Sequence, residues 1–294
     1  MSAAVESLHR LHPGRYQTDV QVTVPEIFEN NPHVTKLVRT DPALRSIHLE
    51  YPLIHKSDHQ PCHFMQGFCD SLGAALGISL PCVVKRPYLY LSSEEKSWVN
   101  QVEQHHDFKG KFWLLNAGYK SDYTIKKWTT AAWQAVVDKL RGQVQFVQVG
   151  SLEHNHPALR DVIDLRGQTD HRQFIRLCHH AQGAITPESY LHHLMAAFSK
   201  PCVTLASGFL PASWVRYHTG TILTHQEKMA CCRDGVGCWK GRVVKLGDGD
   251  KKESNLCSLP VLGEDPVAQC MAMISPDEVV AAVLGYTTGG MLSP

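Results

Sequence analysis

No stretch of this sequence comes near the roughly 20 consecutive apolar residues that a membrane helix needs. The first ten residues also lack the apolar core of a secretory signal. Charge of either sign is not in excess: 29 Lys and Arg against 28 Asp and Glu leave a formal net charge of +1. That balance removes any general electrostatic reason to expect nucleic acid or an anionic membrane surface as partner. Repeats and low-complexity tracts are missing too. What these absences leave is an ordinary globular chain, expected in the cytoplasm, whose 294 residues suffice for two domains with separate cores.

Cysteine, by contrast, is plentiful, with ten in the chain. Cys62, Cys69, Cys82, Cys178 and Cys202 stand singly in apolar or mixed surroundings and read as small buried hydrophobes. The 18 histidines are scattered and read as surface or satisfied core residues.

Periodicity divides the chain. Pro13 and Gly14 stop an opening helix. Residues 16–24 alternate in the manner of a strand, 25–28 suit a short helix ended by Asn30-Asn31-Pro32, and 46–49 suit another strand. Phe64, Phe68, Leu72 and Leu76 fall on one helical face. Residues 92–106 close a first unit, and 107–111 read as a linker. Beyond it, short apolar runs at 112–116, 144–149, 183–186 and 202–206 alternate with helical patterns around Trp133, Phe174 and Leu194. Asp170 suits a helix cap, and Ser275-Pro276-Asp277-Glu278 combines a cap, a proline at the first helical position and a capping-box glutamate. Strands alternating with helices predict an α/β fold with a parallel, doubly wound sheet.

Such sheets bind ligands beyond their C-terminal strand ends, where helix N-termini offer free N–H groups to phosphate. Three junctions qualify. Asn116-Ala117-Gly118-Tyr119-Lys120, running to Lys126-Lys127-Trp128, sets lysines beside a glycine turn that suits a diphosphate, with Trp128 able to pack or stack; the alternative is a solvated basic loop. Thr186-Pro187-Glu188-Ser189-Tyr190, before His193, offers amides to phosphate and a carboxylate to ribose hydroxyls; the alternative is a plain helix cap. Ala206-Ser207-Gly208 forms a compact turn that lets a ligand approach the backbone.

The other five cysteines crowd into one glycine-rich segment, 229–272, with few apolar residues: Cys231, Cys232, Cys238, Cys257 and Cys270. Four thiolates around one ion would stabilise such a segment by several kcal/mol. Soft thiolates select iron or zinc, and spacing does not separate the two. Four of the five suffice, no paired Cys-x-x-Cys motif is present, and no open position for a catalytic metal is evident. Free thiols are the alternative.

The chain resembles the ADP-heptose:lipopolysaccharide heptosyltransferases, glycosyltransferase family 9. It looks most like relatives with a cysteine-rich C-terminal insertion, among them the autotransporter heptosyltransferases with their iron-binding cysteine finger. The resemblance rests on Leu11-His12-Pro13-Gly14 with Thr18-Asp19-Val20, Glu29-Asn30-Asn31-Pro32, Lys126-Lys127-Trp128 and Val147-Gln148-Val149-Gly150. It continues through Asp164-Leu165-Arg166-Gly167-Gln168-Thr169, His193-Leu194-Met195-Ala196-Ala197, and Cys238-Trp239-Lys240 to Gly247-Asp248-Gly249-Asp250. It implies a GT-B-like fold of two Rossmann-type domains. Residues 1–106 would form the acceptor-side domain, without its first strand, and 111–294 the nucleotide-sugar domain. It further implies inverting, metal-independent transfer of a heptose or similar sugar from an ADP-sugar to a saccharide or protein acceptor.

By that resemblance Lys126 matches the lysine on the donor phosphate. Glu188 matches an acidic residue, usually Asp, in an Asp-Ser/Thr-Gly turn five positions before the histidine matched by His193. Here the turn reads Glu188-Ser189-Tyr190, a tyrosine standing where a glycine would admit phosphate closely. The donor site is thus expected from Gly118, Lys126, Glu188, Ser189, His193 and Gly208. The family opens with a strand and a Gly-Asp loop whose Asp is the proposed general base, and this sequence starts within the helix that follows. Three readings stay open: the true start lies upstream, the base comes from elsewhere (Asp19, His55, His59 or His63), or the chain is a nonenzymatic relative. A missing central strand would expose a sheet edge for a homo-oligomer contact to cover. The rivals to a transferase are a nucleotide-binding scaffold that keeps a structural metal, and a redox or sensor module built on the cysteines.

Overall fold

The computed structural model describes residues 1–49, 62–232 and 236–288. The first part of the chain is helical. Helix α1 (Ser2–Leu11) packs against α2 (Phe64–Leu76) through Ala4, Leu8, Cys69 and Leu72. Gly77, in the left-handed region at φ 70°, ends α2. A 3-10 turn spans Pro25–Phe28, and two short helices follow, α3 (Ser93–Ser97) and α4 (Gln101–His106). Ser92 and Glu95 close a capping box on α3, and Asn100 caps α4.

A sheet of six parallel strands carries the rest: β1 (Trp113–Leu115), β2 (Phe146–Gln148), β3 (Ile163–Asp164), β4 (Gly183–Pro187), β5 (Cys202–Leu205) and β6 (Gly220–Leu223). Their order across the sheet is β3-β2-β1-β4-β5-β6, that of a dinucleotide-binding α/β sheet. Between them run α5 (Thr130–Lys139), α6 (His171–His180) and α7 (Tyr190–Ala197); α8 (Gln269–Ala272) and α9 (Pro276–Thr287) follow. Both faces are covered because consecutive strand residues point to opposite sides. Trp113, Leu115, Phe146, Ile185, Val203 and Leu205 meet α5 and α9 through Trp133, Val136, Val279 and Val283. Leu114, Val147, Ala184 and Cys202 meet α6 and α7 through Ile175, Leu177, Leu191 and Met195. The cap read at Asp170 and the capping box read at Ser275 are both formed, and Gln173 makes the first a box as well. No helix among the described residues is long and apolar enough to cross a membrane.

The strands expected at 112–116, 144–149, 183–186 and 202–206 are present. Those expected at 16–24 and 46–49 are not. Residues 16–24 do alternate between half-buried and exposed, but their only pairing is one parallel bridge, Thr18 to Val34. Alternation needs only an apolar surface underneath, whereas a ladder needs a neighbouring strand, and the described residues before Trp113 supply none. Three features went unanticipated: β3 and β6 at the two sheet edges, and a hairpin of β7 (Pro260–Val261) and β8 (Val267–Ala268) inside the cysteine segment.

Candidate functional site

Beside β1 the strand order turns from β2 to β4, so the loops leaving β1 and β4 diverge and open a crevice. Its floor is made by small polar groups. Asn116 Nδ2 donates to Ser189 Oγ (3.4 Å), Asn116 Oδ1 accepts from Gly118 N (3.1 Å), and the Thr186 and Ser189 hydroxyls are 2.7 Å apart. Lys126 enters from a 3-10 turn, Thr124–Lys126. Its ammonium pairs with the Glu188 carboxylate, donates to Glu188 O (3.2 Å) and lies 5.4 Å from the centre of the Phe209 ring. Both partners are largely buried, with side chains 23% and 11% exposed.

This crevice widens into a cavity of about 1280 Å³, beyond the roughly 300–1,000 Å³ typical of a single small-molecule pocket. Lys120, Lys126 and Lys252 bring positive charge to its wall, and Tyr119, Tyr123, Phe174, Tyr190, Phe209 and Trp239 bring rings. The opposite wall comes from before the sheet, with Val24, Glu26, Ile27 and Phe64. Arg172 holds that wall in place. Its guanidinium pairs with Glu95 (2.5 and 2.7 Å) and donates to the carbonyls of Glu26 (3.0 Å) and Tyr90 (2.6 Å).

Of the expected donor residues, Gly118, Lys126, Glu188 and Ser189 meet in the cleft. His193 stands behind them, its Nε2 4.0 Å from Glu188 and its Nδ1 2.9 Å from the Tyr217 hydroxyl. Burial, with His192 and Lys126 nearby, pushes its pKa well down, so this imidazole is neutral. Gly208 lies with the cysteines instead: a Cβ there would come within 2.8 Å of Cys232 Sγ. Trp128 is a core residue, edge-on to Trp133, with its indole N–H donating to Ile274 O (3.1 Å). Lys127 pairs with Asp265.

Of the four substitute bases, the two among the described residues, Asp19 and His63, do not line the cleft. Asp19 is exposed and accepts from the amides of Val20 (2.8 Å) and Leu37 (3.3 Å). His63 caps α2 by accepting from Met65 N (3.1 Å). His55 and His59 lie outside the described residues.

One cleft residue had no signal in the sequence. The His156 ring rests on Gly118 and Gly150, at the ends of β1 and β2, where a Cβ on either would come within 2.0 Å of it. Both ring nitrogens are buried without hydrogen-bond partners. Burial, His154 and Arg166 push its pKa down to about 4. The Asp164-Leu165-Arg166-Gly167 stretch acquires a role here: Arg166 pairs with Asp164 (2.8 and 2.7 Å) and donates to His156 O (2.7 Å).

None of the ten cysteines is in a disulfide. Cys69, Cys178 and Cys202 are buried as expected, while Cys62 and Cys82 are partly exposed. Cys231, Cys238, Cys257 and Cys270 line one void of about 10 Å³ with Gly208, and Gly208 N donates to Cys270 Sγ (3.3 Å). Burial raises the pKa of Cys238 to about 11 and of Cys232 to about 12, and also raises those of Cys257 and Cys270. Among the described residues no group of three or more His, Cys, Asp or Glu is placed to hold a metal ion.

No protein-family model and no curated protein matches the sequence. Solved structures do. ADP-heptose LPS heptosyltransferase II of E. coli superposes with a TM-score of 0.51 at 15% identity, covering 77% of this chain and 62% of the other. A family 9 glycosyl transferase from Veillonella parvula gives 0.52 at 14% identity, covering 79% and 62%. The iron-containing dodecameric glycosyltransferase TibC of enterotoxigenic E. coli gives 0.60 at 14%, covering 97% and 71%. The likeness is one of fold, and the chain spans less than two thirds of the length of the first two.

Proposed function

We propose that this chain is a glycosyltransferase of the heptosyltransferase kind, taking a heptose or similar sugar from an ADP-sugar by inverting transfer without a catalytic metal. The observation that carries the reading is the meeting of Lys126, Glu188 and Ser189 at the β1–β4 crevice, inside one cleft lined by lysines, carboxylates and aromatic rings. In such a transfer the acceptor oxygen attacks the anomeric carbon opposite the diphosphate, and negative charge grows on the departing ADP. Lys126 and the backbone N–H groups at the start of α7 are the donors for that charge. Glu188 holds the lysine until phosphate arrives and then accepts from a ribose hydroxyl. Residues 111–294 would bind the donor, and residues 1–106 would present the acceptor.

Calorimetry with ADP on the wild type and Lys126→Ala is the direct test. A charge-assisted contact of about 1.5–3 kcal/mol predicts binding weaker by roughly 10- to 150-fold. Equal affinities in the two proteins would refute the donor site. The placement of Asp19 away from the cleft favours a second reading, a nucleotide-binding scaffold. ADP-heptose separates the two: a transferase consumes it, by transfer or hydrolysis, and a scaffold leaves it intact.

The cysteine segment suits a structural metal, and its donor set argues for one. Four cysteines line a single void, and a backbone amide already donates to one of the sulfurs. Cys231, Cys238, Cys257 and Cys270 would hold iron or zinc, with Cys232 beside them against Gly208. Such an ion would supply cross-linking of a loop-rich segment and no catalytic step. Less than half an equivalent of iron plus zinc in protein never exposed to chelator would refute it.

A further inference from the structure

The proposed transfer needs a group to take the acceptor proton. Four carboxylates line the cleft: Glu26, Glu153, Asp170 and Glu188. Glu188 is paired with Lys126. Asp170 caps α6, accepting from Gln173 N at 2.7 Å. Glu153 is exposed on the loop after β2.

Glu26 differs from all three. It comes from the wall that precedes the sheet, and its carbonyl is fixed by Arg172 (3.0 Å). Its Oε2 is buried and has no hydrogen-bond partner. A second orphan belongs to a residue that lines the same cavity: the Tyr190 hydroxyl, also buried without a partner. The Tyr190 ring is set by Phe174 and His171, each with centroids 6.1 Å away. Burial, with Cys178 and the Glu26 charge nearby, raises the phenol pKa, so the hydroxyl keeps its proton.

Glu26 and Tyr190 both line this one cavity, and each carries a polar atom without a partner; an acceptor and a donor of that kind are complementary to a ligand hydroxyl, which donates to one and accepts from the other once the two side chains turn to it. We propose that Glu26 and Tyr190 form the acceptor subsite, with Glu26 as the general base. This rests on the transferase reading and adds the residue that it lacks. The acceptor hydroxyl gives its proton to Glu26 Oε2. Its oxygen forms the new bond to the anomeric carbon, and the bond from that carbon to the diphosphate oxygen breaks, ADP leaving with the electron pair. Tyr190 donates to the attacking oxygen before the step and fixes its direction. The tyrosine that stands where the family has glycine is thereby put to use.

The test uses the full chain with ADP-heptose as donor and water as acceptor, reading ADP release. Loss of a placed base predicts a fall of about 10²- to 10⁴-fold in Glu26→Gln. ADP affinity by calorimetry should stay within about two-fold, which also shows that the variant is folded. Glu26→Asp should recover part of the rate, and Tyr190→Phe should lose roughly ten-fold, the weight of one hydrogen bond. Release by Glu26→Gln within three-fold of wild type overturns the assignment. A wild type that binds ADP but releases none from ADP-heptose overturns the transferase reading, and the base falls with it. A wild type that does not bind ADP overturns the donor site itself.

Discussion

Arg172 joins the two walls of the cleft, and the cost of removing it can be worked out from its contacts. Its side chain is 11% exposed and that of its partner Glu95 6%. Arg172→Met keeps the aliphatic bulk and removes the guanidinium. Glu95 then loses both bonds from Arg172, and the carbonyls of Glu26 and Tyr90 each lose a donor. Breaking a buried pair from one side costs about 3–5 kcal/mol, because the remaining charge is stranded. Glu95 still accepts from Asn30 Nδ2 (2.8 Å) and Ser92 N (2.8 Å), which places the expectation near the lower bound, about 3 kcal/mol.

The dependence on pH fixes the sign of the argument. Arg172 holds the Glu95 pKa below the ordinary carboxylate value. Its contribution to stability is therefore complete above about pH 4.3, the unfolded value, and is lost as pH falls through the lower folded one. Protonation relieves the stranded charge in Arg172→Met, so the loss measured by urea unfolding should shrink from pH 7 to pH 3. A double variant with Glu95→Gln should lose less than the sum of the single ones. A loss under about 1 kcal/mol at pH 7, or one that grows with acidity, would show that the pair does not carry the load assigned to it.

Gly150→Ala would drive a methyl group to within 2.0 Å of the His156 ring from a φ of 147°, and should cost about 2 kcal/mol or more. Gly142→Ala, at φ 78° with nothing within 4 Å, is the control for backbone strain alone; equal losses in urea unfolding would refute the His156 contact. Burial lowers the pKa of His63 and His156 to about 4 and also lowers that of His192. The unfolded chain therefore binds more protons below about pH 6.5, and Tm should fall steadily from pH 7 to pH 5, where a flat profile would contradict the buried neutral rings. Ser275→Ala removes the capping box of α9 and should cost about 1 kcal/mol, with no change taken as evidence against the cap.

The second half of the fold was legible because its signals are local. Phe112 to Asn116 and Cys202 to Ala206 are short apolar runs that can be buried on both faces, and the caps at Asp170 and Ser275 are spelled out within four residues. Edge strand β6 has no sequence signal because its four residues, three half-buried and one buried, form no distinctive alternation or apolar run. Residues 16–24 show the converse error. Their alternation was real, but side-chain exposure reports the surface beneath a segment and not the strand beside it.

The site divides along the same line. Lys126, Glu188 and Ser189 sit next to strand ends, and the topology of a parallel sheet brings such positions together wherever they lie in sequence. Gly208 also follows a strand end, yet what requires its missing side chain is Cys232, 24 residues later. A glycine shows that something comes close, not what does. Glu26 lies at the other extreme: in sequence it is an ordinary acidic residue after a proline, entering a 3-10 turn. Its place beside the cleft becomes visible only when α6 brings Arg172 to the Glu26 carbonyl and α7 brings Tyr190 to the same cavity. Pairings of that range are set by how the two parts of the chain pack. Arg172→Met should therefore slow ADP release from ADP-heptose as well as lower stability, because it frees the turn that aims Glu26. A variant destabilised by the expected amount but turning over at the wild-type rate would separate the staple from the site.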